Sequence, residues 1–515
     1  MPMTSLIARA HCLRLLPAAG LVAVSVVLSA SVSSLARAAP SRAGTRAARP
    51  LTSTRVLPTP RAASRSPIGL DRLRTQGVEP AAVHRALVKL GLGRRPLDAS
   101  AGAGGLYNTL FGRDSIRMAT DLVELYPPAA AATIHRLAEL QGRRKNWRSE
   151  EEPGRIIHEF RSKDDPIAKQ LKEWTFPYYG SVDATPNWIN LVAGYTRAHG
   201  DHVLDERVGG RFGSTPTIRE AVGAAAQWIL SRMDDPRGGG YLWVQRSNPH
   251  GLAVQVWEDS TDSFYFADGS LVDPSRPFAP AHLQGYAYDA LLNAAEIFAR
   301  SPGKPPLDPA RLRARAAELR AQFLAQFWRP ELGTFAQAIS YSRPGAGRSA
   351  DVVSSGAGHL LASRMLDGAD ARPFVEATVK TLLSPAQQSA AGIKTKPTGS
   401  ARYRPGSYHN GSSWPFDHAI FIEGLRRHGY EGEATAQEDK LLRAVARDGF
   451  VEFFRGDPHH VAVNRKVVDI IDRDGRPNRL QQPPQGLHDG AQGWTVTAVA
   501  KILARRGVEV LPRAE

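Results

Sequence analysis

The sequence has one cysteine in 515 residues, Cys12, and it lies next to the first apolar segment. Thiolate nucleophiles, zinc–thiolate sites and disulfide frameworks are therefore excluded from everything downstream. Lysine, aspartate and glutamate are missing from residues 1–68, which carry nine arginines. That local lack supplies more than half of the formal net charge of +16. The remaining chain is only dilutely basic and offers no phosphate-binding face, so nucleic acid is not an expected partner. Long apolar runs are also scarce. Leu15–Leu28, "LLPAAGLVAVSVVL", is short for a membrane span.

That run follows Arg9, His11 and Arg14 and precedes small residues ending in Ala36-Arg37-Ala38. The order is that of a secretory signal peptide over residues 1–38, either cleaved or kept as an anchor. Secretion or an envelope location is expected, with no stable membrane insertion after cleavage. Residues 39–68 are rich in Arg, Ala and Pro and lack apolar periodicity, which reads as a disordered linker. No low-complexity break interrupts residues 69–515, which are expected to form one domain.

Several chemistries lack their signatures. "HEFRS" at His158 has no second histidine for a zinc site, and His459-His460 are adjacent rather than spaced. No Walker loop or Gly-x-Ser-x-Gly elbow occurs, and "GAGG" at Gly102–Gly105 lacks dinucleotide spacing.

Helical periodicity, by contrast, recurs along the whole domain. It predicts helices over Ala81–Leu92, Ser115–Leu125, Ala129–Leu140, Trp188–Ala198, Ile218–Met233 and Gly285–Ala299. Six more are predicted over Pro309–Phe327, Gly356–Met365, Pro373–Leu383, Phe416–His428, Ala434–Arg447 and Ala491–Arg505. "GYLWVQ", Gly240–Gln245, reads as a short extended piece between helices. Twelve helices in one domain suggest helix pairs closed into a toroid, with an irregular bundle as the alternative.

Carboxylates beside tryptophan and tyrosine are abundant, in five stretches. These are "FGRDS" (Phe111–Ser115), "EEPGRIIHEFR" (Glu151–Arg161), "PYYGSVDATPNW" (Pro177–Trp188), "WEDSTDS" (Trp257–Ser263) and "YHNGSSWPFDHA" (Tyr408–Ala419). Cleaving a glycosidic bond needs one protonated carboxyl and one carboxylate, and an apolar wall keeps the first protonated. Aromatic faces stack on sugar rings. Each stretch also has a plainer reading: Asp114, Asp183 and Asp417 as helix-start or turn acids, Glu151 and Glu152 as solvated charges.

Taken together, the stretches resemble the six-hairpin glycosidases with an (α/α)6 barrel. The resemblance is strongest to bacterial glycogen-debranching amylo-α-1,6-glucosidase-like proteins, and weaker to glucoamylase and mannosylglycerate hydrolase-like enzymes. It runs from about Tyr107 to Leu503. It implies an all-α toroid with short β-hairpins in the loops and no metal or organic cofactor. The Trp-x-Asp element falls on Trp257-Glu258-Asp259 and implies Asp259 as general acid. "GFVEFFRG", Gly449–Gly456, stands where the family has its second carboxylate and implies Glu452 as general base. Val451 replaces a proline of that element, and Asp457, Asp469, Asp472 and Asp474 lie nearby. Arg113 and Asp114 would hold hydroxyls of the terminal sugar. Glu152, His158, Glu159, Tyr179, Asp183, Trp257, Asp262, Trp414 and Asp417 complete the expected sugar-binding set. The implied activity is inverting exo-hydrolysis of terminal α-glucosidic bonds in an α-glucan or oligosaccharide. The alternatives are hydrolysis of glucosylglycerate or mannosylglycerate, or sugar binding without catalysis.

Overall fold

A computed structural model describes residues 68–511, apart from 94, 103–106, 464–467, 472–476 and 481–489. The expected signal segment, the linker up to residue 67, Asp472 and Asp474 lie outside the described residues. Fourteen helices occur among those described. In chain order they are α1 Ile68–Thr75, α2 Pro80–Lys89, α3 Gly112–Leu122, α4 Pro127–Glu139, α5 Pro166–Gln170, α6 Ala184–His199 and α7 Ile218–Met233. Then follow α8 Ala281–Ala299, α9 Pro309–Phe327, α10 Gly356–Ala362, α11 Arg372–Leu382, α12 Pro415–Arg427, α13 Glu431–Asp448 and α14 Gly493–Arg505. All twelve helices expected from periodicity are present, with ends shifted by a few residues. The additional α1 and α5 are too short to display a period.

Six helices form an inner ring, in which α3, α6, α8, α10, α12 and α14 each pack on the next. Contacts between α14 and α3 close the circle. The other six, α2, α4, α7, α9, α11 and α13, lie against this ring from outside. This is the (α/α)6 toroid.

Burial explains which helix goes where. The outer helix α9 buries only Leu312, Ala316, Leu319, Phe323 and Phe327, one stripe at spacings of three and four. Asp308 caps it by accepting from the Ala310 N–H at 2.9 Å, with Pro309 starting the first turn. The inner helix α8 buries fourteen of its nineteen residues, because one face meets the outer ring and the other the axis. On α3 the axis-facing side is polar. Arg117 pairs there with Glu423 of α12 at 2.7 Å, and Lys501 of α14 reaches both Asp121 (3.3 Å) and Glu423 (2.5 Å). The ring is thus fastened by charge as well as by apolar packing.

Because inner and outer helices alternate along the chain, all six inner helices point the same way. The loops that precede them gather at one rim. Strands are short, as in the hairpin Ala338–Tyr341 with Gly347–Ala350. The expected extended piece Gly240–Gln245 is not a strand. Only Val244 forms an isolated bridge, to Phe278, because Gly238, Gly239 and Gly240 turn the chain immediately before it.

Candidate active site

The rim at the start of the inner helices collects most of the expected residues. Arg113, in the first turn of α3, is the hub. Its Nη1 lies 3.5 Å from Asp259 Oδ2, and its Nε lies 3.5 Å from Asp183 Oδ2. Glycine precedes it for a steric reason. A Cβ on Gly112 would stand 2.0 Å from the Ile157 carbonyl oxygen, and the Gly112 N–H donates to His158 O at 2.9 Å. That close approach joins "FGRDS" to "EPGRIIHE", with Phe111 paired to Glu159.

Asp259 comes from the long loop between α7 and α8. Its side chain keeps 29% exposure while Arg113 beside it keeps 8%. It is walled by protein on most sides and open on one. Burial pushes its carboxyl up to about 7; Arg113 opposes the rise, and Asp183 and Asp114 add to it. Asp114 is itself raised to about 6 by burial, with Arg113 again opposing. Adjacent Glu258 has a different fate. It is buried in an ion pair with the equally buried Lys396, Nζ to Oε1 2.7 Å, and has no access to a ligand.

Glu452 stands across the rim, on the loop that leads to α14. The Tyr408 hydroxyl donates to its Oε1 at 2.5 Å. Tyr107 lies beside Tyr408, and the charges of both Glu452 and Asp259 act on both phenols. Both carboxyls therefore lie near the same pair of tyrosines at this rim. Burial, followed by these charges, holds both phenols well above the usual tyrosine range, so both stay protonated donors.

An aromatic block packs against Tyr408. Trp257, Trp414, Phe416, Phe453 and Trp494 form their own buried cluster, apart from the main core. Trp414 is sandwiched between His409 and Phe453, with centroids 4.7 and 5.0 Å away. Trp257 stacks on His359 at 5.5 Å. His359 is the middle of a buried relay, with Nδ1 2.5 Å from Tyr286 Oη and Nε2 2.8 Å from Asp417 Oδ1. Asp417 is therefore fully buried beneath the block rather than in it. His158, edge-on to Phe111 at 5.4 Å, is kept neutral by burial, reinforced by Arg113.

Other expected residues are engaged elsewhere. Glu152 meets Arg232 of α7 at 3.2 Å and accepts from the Trp228 indole N–H at 2.5 Å. The Tyr179 hydroxyl donates to Leu140 O at 2.7 Å. Glu159 pairs with Arg161, yet burial still raises it to about 7. Asp262 is buried and acts on Tyr265 and Arg402. Asp457 caps a turn through the His459 and His460 N–H groups. Sequence reasoning did not single out Tyr107, Tyr286, His359 or Lys396. Only Tyr408 carried a local signal, as the first residue of "YHNGSSW".

A carboxyl with raised pKa, a second carboxylate on the same rim and an aromatic block beside them are the parts of acid–base glycoside cleavage. Residues 225–460, which include Asp259 and Glu452, match the model of the mannosylglycerate hydrolase MGH1-like glycoside hydrolase domain. The protein is a glycoside hydrolase. No curated protein sequence matches this hydrolase. Its fold is shared with the GH63 mannosylglycerate hydrolase from Thermus thermophilus in complex with Tris and D-glycerate. That structure has TM-score 0.55 and 14% identity, over 83% of this chain and 100% of that one. An uncharacterized conserved protein from the same organism has TM-score 0.52 and 15% identity, over 84% and 100% of the two chains. At such identities the likeness establishes the (α/α)6 architecture of this glycoside hydrolase.

Proposed function

We propose that this glycoside hydrolase cleaves a small α-glycoside with inversion, using Asp259 as general acid and Glu452 as general base. The observation that carries the reading is the raised pKa of Asp259, about 7, on a carboxyl that remains open to the site. Asp259 would protonate the glycosidic oxygen as the bond to the anomeric carbon breaks. Glu452, oriented by Tyr408, would take a proton from a water that attacks the opposite face. Inversion requires room for that water, a carboxyl separation of roughly 6.5–9.5 Å. The charges acting most on Asp259 are Arg113, Asp183 and Asp114 rather than Glu452, in keeping with a separated pair.

A glucosylglycerate- or mannosylglycerate-like substrate is favoured over a branched glucan. The reason is that the matching domain model is of the MGH1-like kind and not of a debranching enzyme. Export through the N-terminal segment is part of the same proposal, and N-terminal sequencing of the mature protein would reveal cleavage near residue 38.

The decisive experiment is proton NMR of the products formed from glucosylglycerate, mannosylglycerate, maltotriose, panose and isomaltose. The expected result is early appearance of the β-anomer from one of the glycerate conjugates. Initial release of the α-anomer would exclude inversion, and turnover of panose or isomaltose alone would restore the glucan reading. Asp259→Asn is expected to reduce kcat by about 10²–10⁴-fold while sparing binding. A variant with parental kcat would remove Asp259 from the mechanism.

A further inference from the structure

The toroid has a second opening. An axial cavity of about 590 Å³ runs inside the inner ring from the floor of the catalytic rim to the opposite rim, where the inner helices end. Position along the helices fixes its direction. Arg113, His359 and Phe416, from the first turns of their helices, and Tyr286, in the second turn of α8, close its inner end, and Arg197, Glu296 and Arg427 lie at its far mouth. Neither Asp259 nor Glu452 lines it. Its volume lies within the roughly 300–1,000 Å³ usual for small-molecule sites.

The wall toward the far mouth is already organised. The Asn293 Nδ2 donates to Asn190 Oδ1 at 2.9 Å, and Asn293 Oδ1 accepts from Arg197 Nη1 (2.9 Å) and Arg364 Nη2 (3.0 Å). Arg364 also binds Glu296 Oε1 at 2.5 Å. Asn187, one turn above Asn190 on α6, also lines the cavity, and its side-chain amide has no hydrogen-bond partner among the described residues. Planar amide, guanidinium and carboxylate groups held by one another can still present unused N–H groups and lone pairs to a ligand.

The charges are compensated. Arg117 faces Asp121 and Glu423, Arg427 pairs with Asp367, and Arg364 sits between Glu296 and Asp289. The cations at the mouth also meet the negative ends of six parallel helix dipoles. A free anion would gain little here. What remains is a dense set of neutral donors and acceptors above an apolar patch of Phe416 and Ile420. We infer that this cavity is a second, non-catalytic site for a neutral mono- or disaccharide, entered from the rim opposite the catalytic one. The inference does not rest on the proposed reaction, since the groups assigned to hold the sugar, Asn187, Asn190 and Asn293, lie outside the catalytic rim.

The test uses the full chain carrying Asp259→Asn, so that no sugar is consumed. Saturation-transfer NMR is recorded with glucose, mannose, maltose and trehalose, then repeated after adding Asn293→Leu. The second variant is Asn293→Asp, which keeps the shape of the side chain between Arg197 and Arg364 while removing its N–H groups. The expected result is a saccharide signal that weakens at least tenfold in both Asn293 variants. Their melting temperatures should remain near that of the parent if they fold, and kcat/KM in the background that retains Asp259 should stay within twofold. Sugar density in the axial cavity of soaked crystals would locate the site directly. Absence of any saccharide signal overturns the inference, and so does a signal insensitive to both Asn293 variants. Equal losses of binding and kcat/KM overturn it as well, because they would assign the sugar to the catalytic rim.

Discussion

At Asp259 the protonation state rests on a few identifiable neighbours, and each can be removed singly. In its proposed role as general acid, Asp259 must be protonated to work, so kcat/KM is expected to fall as pH rises through about 7. Arg113 opposes the rise of this pKa and Asp183 reinforces it. Asp183→Asn should therefore move the alkaline limb to lower pH, and Arg113→Gln should move it higher while raising KM. A pH–rate profile of the three proteins checks both directions, and movement of both limbs the same way would break the assignment. The neighbouring carboxyl gives a contrasting expectation. Glu258→Ala strands the ammonium of Lys396 in a buried site, a loss of about 3–5 kcal/mol by urea denaturation.

These two acids also mark the limit of what sequence can tell. Glu258 and Asp259 are adjacent, so spacing cannot rank them. The residue that takes Glu258 out of the site, Lys396, lies 138 positions away. Glu152 and Tyr179 sit in stretches that otherwise supply site residues. Their side chains instead pin the loop between α4 and α6 to its surroundings, through Trp228 and Arg232 in one case and Leu140 in the other. Tyr107 had no signal because its partners, Tyr408 and Glu452, join it only when the ring closes.

At the scale of elements, the legible and illegible parts separate by period. Helices with a single buried stripe, such as α9, announce themselves. Inner helices were legible as helices, but their inward position was not, because burial on both sides blurs the stripe that would give an orientation. The link between Phe111 and Glu159 was not legible either, since each strand there is two residues long. It depends on the missing side chain of Gly112. Gly112→Ala would place a methyl against the Ile157 carbonyl and push Arg113 away from Asp259. The expected outcome is loss of kcat/KM by at least about tenfold, with a melting temperature lowered by several degrees. Full activity in this variant would show that the two motifs need not touch.

At the scale of the molecule, the six hairpins depend on one closure between distant parts of the chain. Contacts of α14 with α3 and α2 join residues about four hundred positions apart, late in any order of assembly. Both openings of the ring depend on that closure. The proposed catalytic rim needs Trp494 in the aromatic block, and the axial cavity needs a complete wall.

The same closure has another consequence. Arg506 Nη1 donates to the Arg74 carbonyl oxygen at 3.2 Å, so the residues just before the first barrel helix lie beside those just after the last. The barrel is in effect a circle that has been cut once, and the position of the cut is arbitrary with respect to the packing. A circular permutant that joins residue 77 to residue 507 through a short glycine linker, and opens at the exposed Pro302–Lys304 turn, should keep the fold and its glycosidase activity.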